Sequence, residues 1–473
     1  MKRIVVIYLT LMLGTAVGTL SFAQGRHDEN LQGVSNPAAE PQIGHTTTAL
    51  GDRPVIPGEI RVAQAPTGRE RAGRDATPLS RLISEALRNN PEIRAAGKEQ
   101  EAAAQRIKPA GALEDPMLEA GVINLPVPSG SLRREDMTMK MLGLSQKLPY
   151  PGKRGLREDI ATKEAELIAY GYRETVNRVT RDVKIAYYDL AFIAESTRLV
   201  TQNKLVLEQF LKIAESRYTV GQGTQADVLK AQTQLSKMVD ELIRLERERP
   251  SAEAELARAL GRRSTVIAMD AVQLPELSEA ALDFGTLQDT ASKNRPQLLG
   301  LQSAIERTGK ALDLARKDYF PDFDVRFAYG QRDPTLMGDR RDDMVSLTLA
   351  INLPVWRGTK LGPRVVEAVA MREQALEMYR AQENELTAKL RQQLAMAEQS
   401  AKSHRLYTST ILPQARLTVE AALSAYQVNR ADFLTLLDSR MTVFSYETSL
   451  AQAAVNYQKA VAEINLLTGI LSD

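Results

Sequence analysis

The sequence predicts a mainly α-helical protein with a small β part, built from two copies of one unit. Three observations carry this. Short segments recur at a fixed spacing of 205 residues. Apolar residues between them keep a coiled-coil rhythm. Each copy also holds one pair of alternating apolar–polar segments bounded by prolines.

The repeat rests on four landmarks. Ala86-Leu87-Arg88-Asn89-Asn90-Pro91 matches Ala291-Ser292-Lys293-Asn294-Arg295-Pro296, and Pro116 matches Pro321. Leu148-Pro149 matches Leu353-Pro354, and Asp227-Val228-Leu229 matches Asp432-Phe433-Leu434, all 205 apart. Shared composition does not place prolines at one offset. Tyr218 pairs instead with Tyr426, 208 residues on, which predicts a shorter turn before Asp432 in the second copy.

At the N-terminus, Lys2 and Arg3 precede the mostly apolar run Ile4 to Leu20, and Ser21-Phe22-Ala23 ends in a small-x-small pattern. This reads as a signal peptide over 1–23, with a membrane anchor as the competing reading. No later stretch reaches ~18 consecutive apolar residues, so no other helix is expected to span a bilayer. Residues 24–76 are polar and rich in Pro, Gly and Thr, and read as a flexible leader. The first repeat then covers 77–261 with a β-hairpin at 115–149. A linker at 262–285 follows, placed at the equator of the fold. The second repeat covers 286–473 with a β-hairpin at 320–354.

Within a repeat the order is short helix, hairpin, long helix, tight turn and return helix. The first short helix is predicted from Pro78 to Lys108, with Thr77 as cap and Pro78 at the first helical position. The long helix is predicted from Arg154 to Tyr218. Its seam is Val176, Val179, Val183, Ala186, Leu190, Ile193, Val200, Leu207, Leu211, Ala214 and Tyr218, interrupted by Thr197 and Lys204. The return helix carries Val228, Ala231, Leu235, Met238, Leu242 and Leu245. In the second copy the helices fall near 287–317, 361–428 and 431–468. At ~1.5 Å per residue each long helix is ~100 Å, nearly the summed length of its two shorter partners. The shorter two can therefore stack end to end beside it as a rod. Pro250 and Pro413 lie inside these helices and are expected to bend them.

The hairpins bear on the membrane. Phe323, Val325, Phe327 and Tyr329 alternate with Asp324, Arg326 and Ala328, and Val345, Leu347, Leu349, Ile351 and Leu353 alternate with Ser346, Thr348, Ala350 and Asn352. Each strand is close to the ~9–11 residues that a tilted membrane strand needs. A soluble hairpin packed on a core fits the same pattern. The strands of the first copy, about Met117–Leu125 and Met137–Gln146, alternate less cleanly. Four strands cannot close a barrel, and lipid tolerates no unpaired edge, so a spanning chain must oligomerise.

These segments, in order and twice over, resemble the TolC-like outer-membrane efflux family across about residues 78–470. The carriers are Ala86-Leu87…Asn90-Pro91, the junction Gln146-Lys147-Leu148-Pro149-Tyr150-Pro151-Gly152-Lys153-Arg154, and the turn Arg217-Tyr218-Thr219-Val220-Gly221-Gln222-Gly223-Thr224 leading to Asp227-Val228-Leu229. The junction looks closest to members that serve heavy-metal pumps. The resemblance implies long coiled-coil helices forming an α-barrel and hairpins forming a trimeric transmembrane β-barrel. It implies a homotrimer in outer-membrane lipid with a long periplasmic tunnel, docked to a periplasmic adaptor and an inner-membrane pump of the RND type. The tip residues Val220, Gly221, Gly223, Val428 and Asn429 would receive the adaptor, although the glycines also suffice as helix terminators. By the same resemblance Asp227 pairs with Tyr426 and Arg430 to keep the tip closed. The second copy departs from the family here, with Asn429 in place of a glycine and Arg430 one place early. Asp438 matches an acid that lines the constriction, and Asp432 is a second candidate. A threefold ring of such acids would repel anions, while a single one reads equally as a solvated helix acid.

Other classes are excluded or disfavoured. The chain has no cysteine, so disulfides, thiolate metal sites and a lipidated N-terminal cysteine are ruled out. With 61 basic and 59 acidic residues it lacks the basic excess of a nucleic-acid binder. The three histidines are His27 and His45 in the leader and an isolated His404, and no nucleophile elbow, phosphate loop or His-Glu-x-x-His occurs. No enzyme and no cofactor is expected. The rival function is a soluble periplasmic coiled-coil adaptor or scaffold. Two proline-bounded hairpins at matched places in a duplication argue against it.

Overall fold

The computed structural model describes residues 78–127, 129–263, 274, 277 and 282–470. The predicted signal peptide, the leader, the Thr77 cap and most of the 262–285 linker lie outside these residues.

The first repeat contains α1 (Pro78–Asn89), α2 (Pro91–Gly111), β1 (Met117–Ile123), β2 (Met139–Leu148), α3 (Lys153–Thr219) and α4 (Gln225–Leu260). The second contains α5 (Phe284–Asn294), α6 (Pro296–Lys317), β3 (Phe323–Gln331), β4 (Met344–Ile351), a π-helical turn (Arg357–Leu361) and α7 (Gly362–Leu406). A second π turn (Tyr407–Ile411), α8 (Leu412–Gln427) and α9 (Phe433–Thr468) complete it.

Each predicted short helix is in fact two. The break falls at Asn90-Pro91 and again at Arg295-Pro296, because a residue before proline is driven to extended backbone. Asn90 has ψ 124° and caps α2 by accepting from the Glu92 and Ile93 amides at 2.8 and 3.4 Å. Its amide nitrogen donates to the Ala259 carbonyl at 2.8 Å. The end of α4 thus abuts the start of α2, which is the end-to-end stacking that the lengths predict. Gly261 makes the joint possible. It ends α4 at φ 73°, and a Cβ there would lie 2.8 Å from the Asn90 Cα. Gly469 repeats this at the end of α9, with φ 71° and the Asn294 carbonyl as neighbour.

The heptad seam is present. Ile193, Val200, Leu207 and Ala214 on α3 and Ala231, Met238 and Leu245 on α4 are buried at seven-residue steps. Lys204 does not enter this seam, since it pairs with Glu208 at 3.2 Å. The polar residue inside is Asn203, fully buried, which accepts from Arg440 Nε at 2.8 Å. Tyr218 is exposed. The core has three parts. One belongs mainly to the first repeat and one to the second, while the third lies toward the tips and joins α3, α4, α8 and α9.

Pro250 sits within the continuous α4, whereas Pro413 follows the π turn at the first turn of α8. The first long helix is unbroken over 67 residues, while the second carries both π turns. This relocates the offset. Landmarks before the long helix stand 205 apart, but the helix ends Thr219 and Gln427 and the caps Gly261 and Gly469 stand 208 apart. Three extra residues are taken up inside the second long helix, and the two turns have equal length. The predicted shorter second turn is therefore incorrect.

The strands form one antiparallel sheet in the order β1-β2-β3-β4. Register clarifies the first hairpin. Leu118, Leu144, Phe327 and Leu347 stand in one row, and Ala120, Leu142, Tyr329 and Val345 in the next. The rows between them are Glu119, Gly143, Ala328 and Ser346, then Met117, Ser145, Arg326 and Thr348. One face is mainly apolar and exposed, and the other mixes small and polar residues with methionines. No described helix is long and apolar enough to cross a membrane.

Lys153 fastens the sheet to the helices. It is 3% exposed and reaches Asp322 at 2.9 Å, the Phe320 carbonyl at 3.2 Å and Asp318 at 3.4 Å. Beside it the rings of Tyr150 and Phe320 stack at 4.6 Å.

Candidate functional site

The two helical turns share one backbone. In the first, Gly221 has φ 72°, and the Gln222 and Gly223 amides donate to the Arg217 carbonyl at 2.8 and 3.1 Å. Close approach also favours glycine at 223, where a Cβ would meet Arg217 at 3.2 Å. In the second, Asn429 takes the left-handed position at φ 60° and Arg430 N donates to the Ala425 carbonyl at 2.8 Å. Asparagine tolerates this conformation better than other side-chain-bearing residues, which explains how the second copy does without the glycine. Val220 and Val428 stand at equivalent places and are 66% and 62% exposed.

The aspartates do not correspond as the sequence match suggests. Asp227 is the third helical residue of α4 and forms a capping box with Thr224, at 3.1 and 3.3 Å. Asp432 is itself the cap of α9 and accepts from the Thr435 amide at 3.0 Å. Its structural counterpart is Thr224. The Thr435 hydrogen bonds, side chain first, hold the Asp432 carboxyl below its ordinary range.

Tyr426 is buried between the two hairpins. Its ring lies 5.6 Å from that of Phe433 and 4.5 Å under the Arg217 guanidinium. Arg217 Nη1 also donates to the Tyr426 carbonyl. The Tyr426 hydroxyl and Arg217 Nε are buried without a hydrogen-bond partner. Burial raises the Tyr426 pKa, Arg217 opposes the shift, and the charge of Asp227 adds to it. Asp227 is thus within electrostatic reach of Tyr426 with no hydrogen bond between them. Arg430 is exposed at the tip, and Asp438 is exposed in a groove with Gln414, Thr418 and Tyr446.

The structure therefore brings Asp227, Tyr426 and Arg217 together and leaves Arg430 outside that contact. Arg217 was missed by sequence reasoning. The signal was available, because Arg217-Tyr218 aligns with Ala425-Tyr426 and only one copy has the arginine. Farther up, Arg440 is depressed in pKa by burial, with Glu447 opposing, and links α9 to Asn203 of α3. Among the described residues no cluster of His, Cys, Asp or Glu could hold a metal.

Two long helical hairpins, each interrupted by a strand pair, and a sheet with one lipid-compatible face define a subunit of a membrane duct. The outer membrane efflux protein model matches residues 82–262 and 287–470, and the chain belongs to that family. The cobalt-zinc-cadmium resistance protein CzcC of Cupriavidus metallidurans is 22% identical over 408 residues, 81% of this chain and 89% of CzcC. The outer-membrane channel OprN superposes with TM-score 0.71 at 18% identity, covering 83% of this chain and 90% of OprN. VceC of Vibrio cholerae superposes with TM-score 0.69 at 18% identity, covering 83% and 97%. The chain is accordingly an efflux channel protein of the outer membrane, in a transport family and not one of enzymes. Proteins of this family work with an adaptor and an inner-membrane pump. The adaptor reading of the sequence gains no support.

Proposed function

We propose that three copies of the chain close a twelve-stranded barrel and a helical tunnel, a passive exit for cargo delivered by an RND-type pump through its adaptor. The sheet carries this reading. It has four strands, an apolar exposed face and open edges at β1 and β4, and a bilayer admits only a closed sheet. The tip made by Val220, Gly221, Gly223, Val428 and Asn429 would dock the adaptor. Asp227, Tyr426, Arg430, Asp432 and Asp438 would form the gate. The likeness to CzcC and the Pro151-Gly152-Lys153-Arg154 junction support a cationic cargo.

The test is a heat-resistant trimer on gels together with single-channel recording in planar bilayers. Asp227→Asn retains an acceptor for the Thr224 amide while removing the charge. It should raise conductance, as should Asp227→Ala. Unchanged conductance in both would sink the gate assignment, and a purely monomeric soluble protein would sink the duct.

A further inference from the structure

The methionines of the sheet are sorted by face in a way that hydrophobicity does not require. Burying Met or Leu gains about the same, ~1.5–3 kcal/mol. Yet all four methionines of the described strands, Met117, Met139, Met141 and Met344, lie on the polar face with Glu119, Arg326 and Asp324. The other face carries no methionine and uses Leu, Val, Ile, Phe, Tyr and Ala, with Lys140, Gln146 and Gln331 as its polar members.

Three of the four converge. Met141 and Met344 stand directly opposite Gly330, one on each side. The Met139 side chain leans across the same glycine, so that a Cβ at Gly330 would overlap its sulfur. Gly121, on the far side of Met141, leaves open space above the sheet. Met139 and Met141 are half-buried and Met344 is exposed, on the face that the duct reading assigns to the lumen. A thioether is a soft, neutral donor that no proton competes for at ordinary pH, and it selects Cu(I)-like ions over hard or borderline ones.

We infer that Met139, Met141 and Met344 form a thioether site for a soft monovalent cation, Ag+ or Cu+, on the wet face of the sheet. Its place on an export route rests on the duct reading, but its binding does not. The site is a transient stop that uses no ionised residue, unlike the acids at the tips.

The experiment uses the purified full chain in detergent, titrated with silver nitrate in chloride-free buffer, with X-ray absorption at the silver edge. Sulfur coordination is expected, with affinity constant between about pH 5.5 and 7.5, where a histidine site would change. The triple variant M139L/M141L/M344L conserves volume and should bind silver at least roughly tenfold more weakly. Met117→Leu should bind as the parent does, and Zn2+ should not compete. Oxygen- or nitrogen-only coordination in the parent overturns the site even if the variant misfolds, and so does silver affinity that survives in a folded triple variant. Potassium conductance of the parent separates the two readings. A conducting channel that binds no silver refutes the site alone, whereas a silver-binding protein that never conducts refutes the duct alone.

Discussion

The two repeats reach the same backbone with different chemistry. The first long helix is continuous and its tip is closed by Gly221 and a Thr224–Asp227 capping box. The second opens on one π turn and is interrupted by another, and its tip is closed by Asn429 and a simple Asp432 cap. At the junction with the sheet, Lys153 is buried against two aspartates, while Gly358 stands 205 residues on. At the tip, Arg217 has no counterpart, since Ala425 takes its place. The lesson is that backbone demands were duplicated and side-chain tasks were divided. At these two places the first copy supplies the cation, Lys153 and Arg217, while farther up Arg440 of the second copy reaches back to Asn203.

This comparison can be broken most severely where the copies agree. Gly261→Ala and Gly469→Ala each impose a left-handed alanine and a backbone overlap. Each should cost about 2–5 kcal/mol, seen as a lower melting temperature of the detergent-solubilised protein. A large difference between the two would show that the joints are not equivalent. Next come the divided tasks. Lys153→Met leaves Asp322 without its ion-pair partner and Asp318 with Arg364 alone, and should cost about 3 kcal/mol, while Lys360→Met on the exposed second junction should stay within ~0.5 kcal/mol in the same melts. Arg217→Ala removes a cation–π contact and a backbone hydrogen bond. A loss of about 1–3 kcal/mol is expected, with noisier or larger conductance, whereas Arg430→Ala, at an exposed position, should leave stability unchanged. The smallest effect sharpens the tip comparison. Asn429→Gly should stabilise by up to about 1 kcal/mol in chemical denaturation, because glycine has no left-handed penalty.

Much of this was legible in the sequence, because the strongest signals are physical requirements on the chain. Prolines end strands and helices readily, so Pro116, Pro149 and their partners marked the bounds of the two strand pairs. Alternation fixed the sheet faces of β3 and β4, but that of β1 and β2 emerged only from pairing, since Gly121 and Gly143 carry no polarity. The Asn90-Pro91 break was read through, because a long-range contact to Ala259 stabilises it. The tip was misaligned for a simpler reason. Asp-x-Leu recurs three residues out of step, nearly one helical turn, so the heptad hides the slip. Asp227 and Asp432 look homologous but do different work. Arg217 escaped notice because its partner is an aromatic face and a carbonyl, neither of which leaves a charge pattern.

The glycine joints have a consequence for how such a chain could arise. Gly261 ends the first repeat against Asn90 near that repeat's beginning, and Gly469 does the same against Asn294. Each repeat is therefore a closed circuit whose exit lies beside its entrance. A gene segment encoding such a circuit can be copied in tandem without rerouting the chain. All it needs is a segment that joins the two copies in sequence, which here runs from Arg262 to Asp283. Ancestry by duplication thus left its mark in two places. One is the set of residues that match, and the other is the pair of glycines that let each copy come home.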